Sequence, residues 1–264
     1  MSTKIEVKPS CLVISQPMFL PWLGMFEQIK LCSQFVFYDD VQLPLGGGRG
    51  RGFSTRVQIK TASGIDWLSL PVIRAGKGRQ LINEACFAHM KWKKAHLSKI
   101  LQAYKTAPYF DSVYESVLVP IYAIDTENLA EFCMGSMRLL WTRLGLSPKV
   151  YLSSELNVPR DIGASERVLE ICKQLGADEY VSGLGAMKYI DYAIFEEAKV
   201  RVNYMNYLVE PYPQLHGDFT PYVSIIDMLF SVGVESTSAS LKSQCIYWKD
   251  WPHRQSGRPV SLSN

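Results

Sequence analysis

The chain has 264 residues, of which 47% are hydrophobic and 20% are charged, and its formal net charge is +3. This composition predicts a globular protein with a full hydrophobic core and excludes a disordered chain. So small a net charge gives no support for nucleic-acid binding, and no apolar run approaches the ~18 residues of a membrane span. Residues 1–10 lack the apolar core of a signal peptide, so we expect a cytoplasmic protein.

The first 42 residues predict a strand, a helix and a second strand. Two short apolar runs, residues 12–14 and 35–38, have the composition of strands, and residues 22–32 carry apolar side chains at helical spacing. A right-handed crossover makes the strands parallel, and ligands of parallel sheets bind beyond the carboxyl ends of the strands. Gln16 follows the first strand, and Asp39 and Asp40 follow the second. We therefore expect the functional site at this edge.

Residues 44–148 predict a hairpin and helical subdomain inserted into the sheet. Residues 56–60 and 67–72 flank a turn at Ser63 and Gly64, which is the pattern of a hairpin. Three helices follow, at residues 91–103, 111–123 and 127–144, the last with Asp125 or Thr126 as its N-cap. Residues 46–52, rich in glycine and arginine, have no apolar anchor, so we expect a loop that is mobile without a ligand.

The second half of the chain alternates strands with helices. We predict strands at residues 150–152, 179–182 and 201–204 and helices at residues 164–175 and 187–198. This alternation is typical of a parallel α/β layer, so we predict a single α/β domain, residues 1–264, on a mainly parallel Rossmann-like sheet. A buried helix at residues 224–231 and a loose tail at residues 255–264 complete the prediction.

The six cysteines are scattered along the chain and form no Cys-x-x-Cys pair. Most of them lie in apolar segments, which indicates buried free thiols rather than disulfides or a zinc site. We therefore predict no metal site and no tightly bound cofactor.

The loop after the first strand carries three candidate substrate-binding residues. Gln16 is a polar residue at a strand end, which favours contact with a ligand. Phe19 and Trp22 either pack in the core or stack on a substrate. The loop lacks the glycine spacing of a dinucleotide fingerprint and of a P-loop, which argues against both motifs.

Asp39 and Asp40 are candidate catalytic residues, because paired carboxylates perturb each other's pKa in a way that suits proton transfer. They could equally hold a metal ion or an ammonium group, or only cap a turn. His96 is the strongest histidine candidate for a general base, although a lone helical histidine is usually structural. Trp92 and Tyr104 lie on the same helix face as candidate substrate contacts.

A local positive patch follows the glycine-rich loop. It consists of Arg49, Arg51, Arg56 and Lys60. Glycine lets backbone amides approach an anion and arginine binds phosphate oxygens in pairs, so the patch favours a phosphate or diphosphate ligand. Arg56 is the strongest candidate of the four for binding the anion, because it begins a predicted strand.

Two later segments add further candidate binding residues. Ser182 and Gly183 follow a predicted strand and precede a helix with Tyr189, so their turn could cradle an anion or an oxyanion. Gln214 and Asp227 lie near the end of the chain, where an acid within an apolar run is either functional or a helix residue with a hidden partner.

Several ordered motifs make the chain resemble the WbqC-like protein family between about Val13 and Gly233. They include QPMFLPWLGMFEQI, FVFYDDVQLP, WLSLPV, SSEL and YVSGLGAMKYID. The resemblance implies a bacterial role in making O-antigen or related surface glycans, with transfer of a glycyl or other aminoacyl group to an amino sugar. The chain departs from the family pattern at residues 46–56, where only Arg56 holds its position, so the acceptor read by that loop is expected to differ.

The leading hypothesis is therefore an acyltransferase that uses an activated donor, such as a phosphopantetheine-linked thioester on an acyl or peptidyl carrier protein, and a sugar nucleotide as acceptor. A second hypothesis is a nucleotidyltransferase-like enzyme that holds a triphosphate with magnesium on Asp39 and Asp40, although the His-x-x-His signature is missing. A third is a non-catalytic sugar-nucleotide binding module, with Phe19, Trp22, Trp92 and Tyr104 as its stacking surface.

Overall fold

The structure is a computed structural model that describes residues 10–44 and 52–252. It contains a six-stranded sheet with helices on both faces and a separate two-stranded hairpin. The strands are β1 (Cys11–Ser15), β2 (Gln34–Phe37), β3 (Arg56–Thr61), β4 (Gly64–Ser69), β5 (Lys149–Leu152), β6 (Glu179–Ser182), β7 (Arg201–Asn206) and β8 (Gln244–Tyr247). The helices are α1 (Leu23–Lys30), α2 (Trp92–Tyr104), α3 (Phe110–Val113), α4 (Val119–Tyr122), α5 (Leu129–Arg143), α6 (Ala164–Gln174), α7 (Tyr192–Glu197) and α8 (Ile225–Ala239).

The large sheet has the strand order β5-β2-β1-β6-β7-β8. All pairs are parallel except β7 with β8, which is antiparallel. The chain runs outward from β1 through β2 to β5 and then returns to the other side of β1 as β6, so the strand order reverses between β1 and β6. This arrangement confirms the predicted mainly parallel, Rossmann-like sheet and places its switch point at the carboxyl ends of β1 and β6.

The central strands are apolar throughout because both of their faces are covered. On β1, Val13 belongs to the core beneath α1 and α8, whereas Leu12 and Ile14 belong to the core beneath α6 and α7. On β2, Phe35 and Phe37 belong to the same core as Val13, beneath α1 and α8. Alternate side chains therefore hold the two helical layers on opposite faces.

The inserted segment confirms the predicted hairpin, β3 with β4, and shares the core of α1 and α8 rather than forming a core of its own. The predicted helix at residues 111–123 is divided into α3, a π-helical turn (Tyr114–Leu118) and α4. The predicted N-caps Asp125 and Thr126 are wrong: the side chain of Asn128 caps α5 by accepting a hydrogen bond from Glu131 N at 3.0 Å. The Thr126 hydroxyl is instead bonded to the side chain of Glu131.

Three features of the second half differ from the predictions. The predicted helix at residues 187–198 is a 3-10 turn (Leu184–Lys188) followed by α7, which Asp191 caps. The edge strand β8 was not predicted, and α8 extends to Ala239. Gly233 interrupts α8 with φ 82°, and a Cβ there would lie 2.9 Å from the Tyr109 ring.

Residues 46–51 of the predicted mobile loop (46–52) and the whole predicted tail (255–264) lie outside the described residues. Arg49 and Arg51 are therefore not placed. In the part of the chain that the structure describes, no helix is both long and apolar enough to cross a membrane.

Candidate active site

The loops after β2 and β5 bring the acidic pair against two serines at the carboxyl edge of the sheet. Asp39 Oδ1 accepts a hydrogen bond from Ser154 N at 3.0 Å and lies 3.0 Å from Ser153 Oγ, and Asp39 Oδ2 accepts from Ser154 Oγ at 2.6 Å. Asn83 Nδ2 lies 3.3 Å from the same Oδ2. Asp39 is thus enclosed by donors, and its role in this arrangement is to join the two loops.

Asp40 holds two arginines. Its Oδ2 lies 2.6 Å from Arg167 Nη2 and 2.8 Å from Arg160 Nε, while Ser153 Oγ donates to its Oδ1. Burial opposes ionisation of this carboxyl, but hydrogen bonds from Ser153 and Arg167 and the charges of both arginines outweigh it, so the pKa of Asp40 lies below its usual value. Asp40 is therefore ionised, forms ion pairs with the two arginines and is a weak proton acceptor.

The two arginines differ in accessibility. The Arg167 side chain is 6% exposed, whereas that of Arg160 is 55% exposed. Arg167 Nε is buried and has no hydrogen-bond acceptor among the described residues. A buried donor without a partner is rare in folded proteins and is commonly explained by a ligand or an ordered water. The pair therefore has donor capacity left for an oxygen-rich anion.

Tyrosine side chains continue this polar edge towards the end of β6. The Arg167 guanidinium lies 4.8 Å from the centre of the Tyr38 ring. Burial raises the pKa of both Tyr38 and Tyr180, and the neighbouring Tyr189 adds to the rise in each case. Tyr180 Oη donates to Ser182 Oγ at 3.2 Å. We call the combined set the strand-end cluster: Tyr38, Asp39, Asp40, Ser153, Ser154, Arg160, Arg167, Tyr180, Ser182 and Tyr189.

The strand-end cluster unites four of the predicted site residues, Asp39, Asp40, Ser182 and Tyr189, and Gly183 directly follows β6 beside it. The other members of the cluster were not predicted as site residues: Tyr38, Ser153, Ser154, Arg160, Arg167 and Tyr180. Arg167 did leave a signal in the sequence, since it is a single charged residue on the buried face of the amphipathic helix α6.

His96 lies elsewhere, within an aromatic core. Its ring centre is 5.6 Å from that of Phe19 and 5.1 Å from that of Trp92. Its Nε2 is 3.1 Å from Ser69 O, and its Nδ1 is 3.4 Å from Tyr122 Oη. Burial lowers the pKa of His96 to about 4, so the ring is neutral near pH 7. Its role as general base stays a prediction, which these contacts do not favour.

Tyr104, Asp227 and Gln214 form a second network, apart from the strand-end cluster. Tyr104 Oη donates to Asp227 Oδ2 at 3.0 Å, Tyr212 Oη donates to Asp227 Oδ1 at 2.9 Å, and Gln214 Nε2 donates to Tyr212 Oη at 3.0 Å. Burial holds the pKa of Asp227 above its usual value, although hydrogen bonds from both tyrosines oppose it. Asp227 is thus a helix residue with buried hydrogen-bond partners, which is one of the two predicted alternatives.

Lys60 does not contribute to an open phosphate site. Its Nζ is buried and donates to Gln214 Oε1 at 3.3 Å and to Gly217 O at 3.0 Å, with Asp218 O at 2.5 Å as a third acceptor. Arg56 instead lies with its guanidinium 4.4 Å from the centre of the Trp67 ring. Of the four residues of the predicted patch, only Arg56 and Lys60 are described, and the Lys60 ammonium is bonded within the protein.

The first strand-to-helix loop is closed by other parts of the protein. Phe19 N donates to Phe53 O at 2.8 Å, Ser224 Oγ donates to Leu20 O at 2.8 Å, and Ile225 N donates to Pro21 O at 3.0 Å. Three backbone groups of this loop are thus already bonded within the protein and are not free to bind a ligand. The side chain of Gln16 is half-buried and makes no hydrogen bond with the described residues.

Trp22 lies at the start of α1, beside the half-buried Tyr207 and the exposed Tyr222. Its ring centre is 4.9 Å from that of Tyr207 and 5.4 Å from that of Tyr222, with edge-to-face geometry in both pairs. A Cβ on Gly24 would lie 2.0 Å from the indole, so the absence of a side chain at this position leaves room for the ring. Trp22 is therefore near the surface, while Phe19 and Trp92 belong to the core.

The model of the WbqC-like protein family matches residues 16–239. The chain belongs to the WbqC-like protein family. It is 34% identical over 225 residues to the uncharacterized protein Rv1507c of Mycobacterium tuberculosis (strain ATCC 25618 / H37Rv), in a match that covers 84% of this chain and 94% of that protein. No solved structure matches. Every residue of the strand-end cluster lies within the part of the chain that the WbqC-like model matches.

Proposed function

We propose that this WbqC-like protein transfers an aminoacyl group, with glycyl as the first candidate, to the amine of a nucleotide-linked amino sugar in bacterial surface-glycan (O-antigen) synthesis. The donor in this proposal is a thioester on a carrier protein. The family resemblance supplies the class of reaction. The observation in the structure that supports it is the arginine pair at the carboxyl edge of the sheet, which suits the diphosphate of a sugar nucleotide.

The charge distribution favours an anion at this position. Asp39 is enclosed by hydrogen-bond donors and Asp40 is 3% exposed, whereas more than half of the Arg160 side chain is exposed. The part of the cluster that meets solvent is therefore cationic. A planar guanidinium that a carboxylate already orients loses little freedom when it binds phosphate oxygens.

In the proposed reaction, the amine lone pair of the sugar attacks the thioester carbonyl. A C–N bond forms, the C–S bond breaks, and the ammonium proton of the tetrahedral adduct passes to the departing sulfur, so the products are an amide and a thiol. The Ser182 and Tyr189 hydroxyls are the groups of the cluster that would donate to the carbonyl oxygen as its negative charge develops. Asp40 contributes indirectly, by holding the arginines.

A cysteine nucleophile is not part of this proposal. Burial raises the pKa of Cys11, Cys32, Cys133 and Cys172, so these thiols are protonated near pH 7. A protonated, enclosed thiol is a poor nucleophile. None of these four cysteines is therefore suited to form a covalent acyl-enzyme.

One observation favours the second candidate, a non-catalytic sugar-nucleotide binding module. Within the strand-end cluster, both carboxylates are engaged by donors, and Asp40 is held ionised below its usual pKa. The cluster thus contains no open general base. Nucleotidyl transfer is favoured less, because the loop after β1 is closed and the acidic pair is already occupied by serine and arginine side chains.

The test is a transfer assay with a glycyl-loaded carrier protein and a panel of nucleotide-linked amino sugars, with the amide product detected by mass spectrometry. Arg160→Gln is expected to raise the KM for the sugar nucleotide at least about ten-fold, since it removes a charged hydrogen bond. Arg143→Gln, a change of an exposed arginine at the end of α5, is the matched control.

Calorimetric titration with the sugar nucleotide alone separates the two candidates. Binding that Arg160→Gln weakens, without turnover from any aminoacyl donor, would favour the binding module. Binding and turnover that are equal in the Arg160→Gln and Arg143→Gln variants would refute the role given to the arginine pair.

A further inference from the structure

A cavity of about 390 Å³ opens at the same edge of the sheet, next to β7 and β8. Its walls come from α1, the end of β7, the connection from β7 to α8, α8 itself and the start of β8, and they include Leu23, Glu27, Asn206, Tyr212, Met228 and Gln244. We call it the Glu27 cavity. None of its lining residues belongs to the strand-end cluster. Its volume is within the range of small-molecule sites.

Glu27 is the most buried charged group in the cavity wall, with 4% of its surface exposed. Its two carboxylate oxygens accept hydrogen bonds from Lys242 N at 3.1 Å and from Ser243 N at 2.7 Å. Both oxygens therefore act as acceptors, which is the role that a carboxylate takes toward N–H donors. No cationic side chain among the described residues forms an ion pair with it.

The other charged groups of the wall do not supply a cation for Glu27. Lys242 Nζ lies 3.7 Å from Glu210 Oε2, and the two side chains are 67% and 66% exposed. The charged lining residues are thus two glutamates and one lysine, which gives a net charge of −1. A buried carboxylate whose partners are neutral amides is stabilised further by a cation with hydrogen-bond donors.

The remaining groups of the wall suit a small polar ligand. Asn206 and Gln244 face each other as a register pair of β7 and β8, and their side chains make no hydrogen bond with the described residues. Leu23 and Met228 add apolar surface. Free amides beside an apolar wall and one buried charge are the usual composition of a specific ligand site.

We propose that the Glu27 cavity binds a small molecule through a primary ammonium group, with Glu27 as the anion that receives it. Two substrates of the proposed reaction carry such a group. The aminoacyl donor carries it as its α-amino nitrogen, which does not react. The amino sugar carries it as its amine, which would have to lose its proton and leave Glu27 before it attacks the thioester. The inference concerns binding alone, so it holds or fails independently of acyl transfer.

The test is an NMR titration of the ¹⁵N-labelled full chain, in which the Lys242 and Ser243 amides report on Glu27. Glycinamide represents the donor, and methyl 2-amino-2-deoxyglucoside represents the sugar. Their N-acetylated forms are neutral controls of nearly the same shape. Saturable shifts of the two amides are expected with one of the amines, and at least about ten-fold weaker binding with its N-acetylated form. The amine that binds identifies the substrate for which the cavity is built.

Glu27→Gln is expected to remove this preference for the amine, while Glu197→Gln, a change of an exposed glutamate in α7, keeps it. Because the comparison of amine with N-acetylated probe uses the wild-type protein, it stands even if the Glu27 variant folds poorly. Equal binding of amine and N-acetylated probes, or no saturable shift of either amide with any probe, overturns the proposal.

Discussion

Asp40→Asn is the substitution that most directly tests the strand-end cluster. It removes the carboxylate that lies 2.6 Å from Arg167 and leaves that guanidinium charged within a nearly closed site. Breaking a buried pair by removing one partner costs about 3–5 kcal/mol. The pair of Asp66 with Lys99 has a similar distance of 2.7 Å, but its side chains are 45% and 38% exposed. Asp66→Asn is therefore expected to cost about 1 kcal/mol or less.

The assay is urea unfolding of the wild type and both variants at pH 7, repeated towards lower pH. The folded pKa of Asp40 lies below that of the unfolded chain, so its contribution is complete above the ordinary aspartate pKa of about 3.9. The contribution is lost as the pH falls through the lowered value. The difference between wild type and Asp40→Asn should shrink accordingly. A loss at pH 7 no larger than that of Asp66→Asn would refute the buried pair.

A double variant separates stability from binding. Replacing both partners, Asp40→Leu with Arg167→Met, removes the uncompensated charge, and such exchanges are often neutral or stabilising. We expect the double variant to recover most of the stability lost in Asp40→Asn while still failing to bind the sugar nucleotide. Recovery of stability together with normal binding would contradict the role given to Arg167.

Three further predictions concern single positions. Gly24→Ala should displace the Trp22 indole, because the added methyl group would lie 2.0 Å from it. We expect the free energy of unfolding in urea to fall by about 1–3 kcal/mol and the tryptophan fluorescence to change. The control is Gly185→Ala, where the added methyl group meets no atom within 4 Å. His96 has a pKa lowered by burial to about 4, so the wild type should lose about 2 kcal/mol as the pH falls from 7 to about 4.5, a loss absent from His96→Gln. The pKa of Asp227 is raised in the folded protein, so the folded state keeps a proton that the unfolded chain releases. The stability of the wild type relative to Asp227→Asn should therefore fall as the pH rises above about 4. A rise in this relative stability would contradict the raised pKa.

The sheet was predictable because its central strands are buried on both faces. Residues 12–14 and 35–38 are apolar without interruption for that reason, and the glycines after α5 and α6 mark helix ends. The edge strand β8 is half exposed and only four residues long, so its composition carries little signal. The predicted helix at residues 187–198 failed because Asp191 starts a new helix instead of continuing the first, with its side chain bonded to Ala193 N.

The position of the acidic pair was predictable, but its partners were not. Asp39 and Asp40 follow a strand, and parallel strands end at one edge. Ser153 and Arg167 are 113 and 127 residues away from Asp40 along the chain. They reach it only because β5 lies beside β2, and no local pattern in the sequence specifies that neighbour. The aromatic enclosure of His96 likewise depends on packing between distant segments.

The place of β1 in the sheet also sets an order of events during synthesis. Its neighbour β2 begins at Gln34 and is available almost at once, whereas its other neighbour, β6, begins at Glu179. Until the ribosome has released that part of the chain, one edge of an apolar strand has free N–H and C=O groups. A nascent chain in this state is prone to pair with other chains, so we expect its folding to depend on chaperones that shield the open edge until β6 arrives.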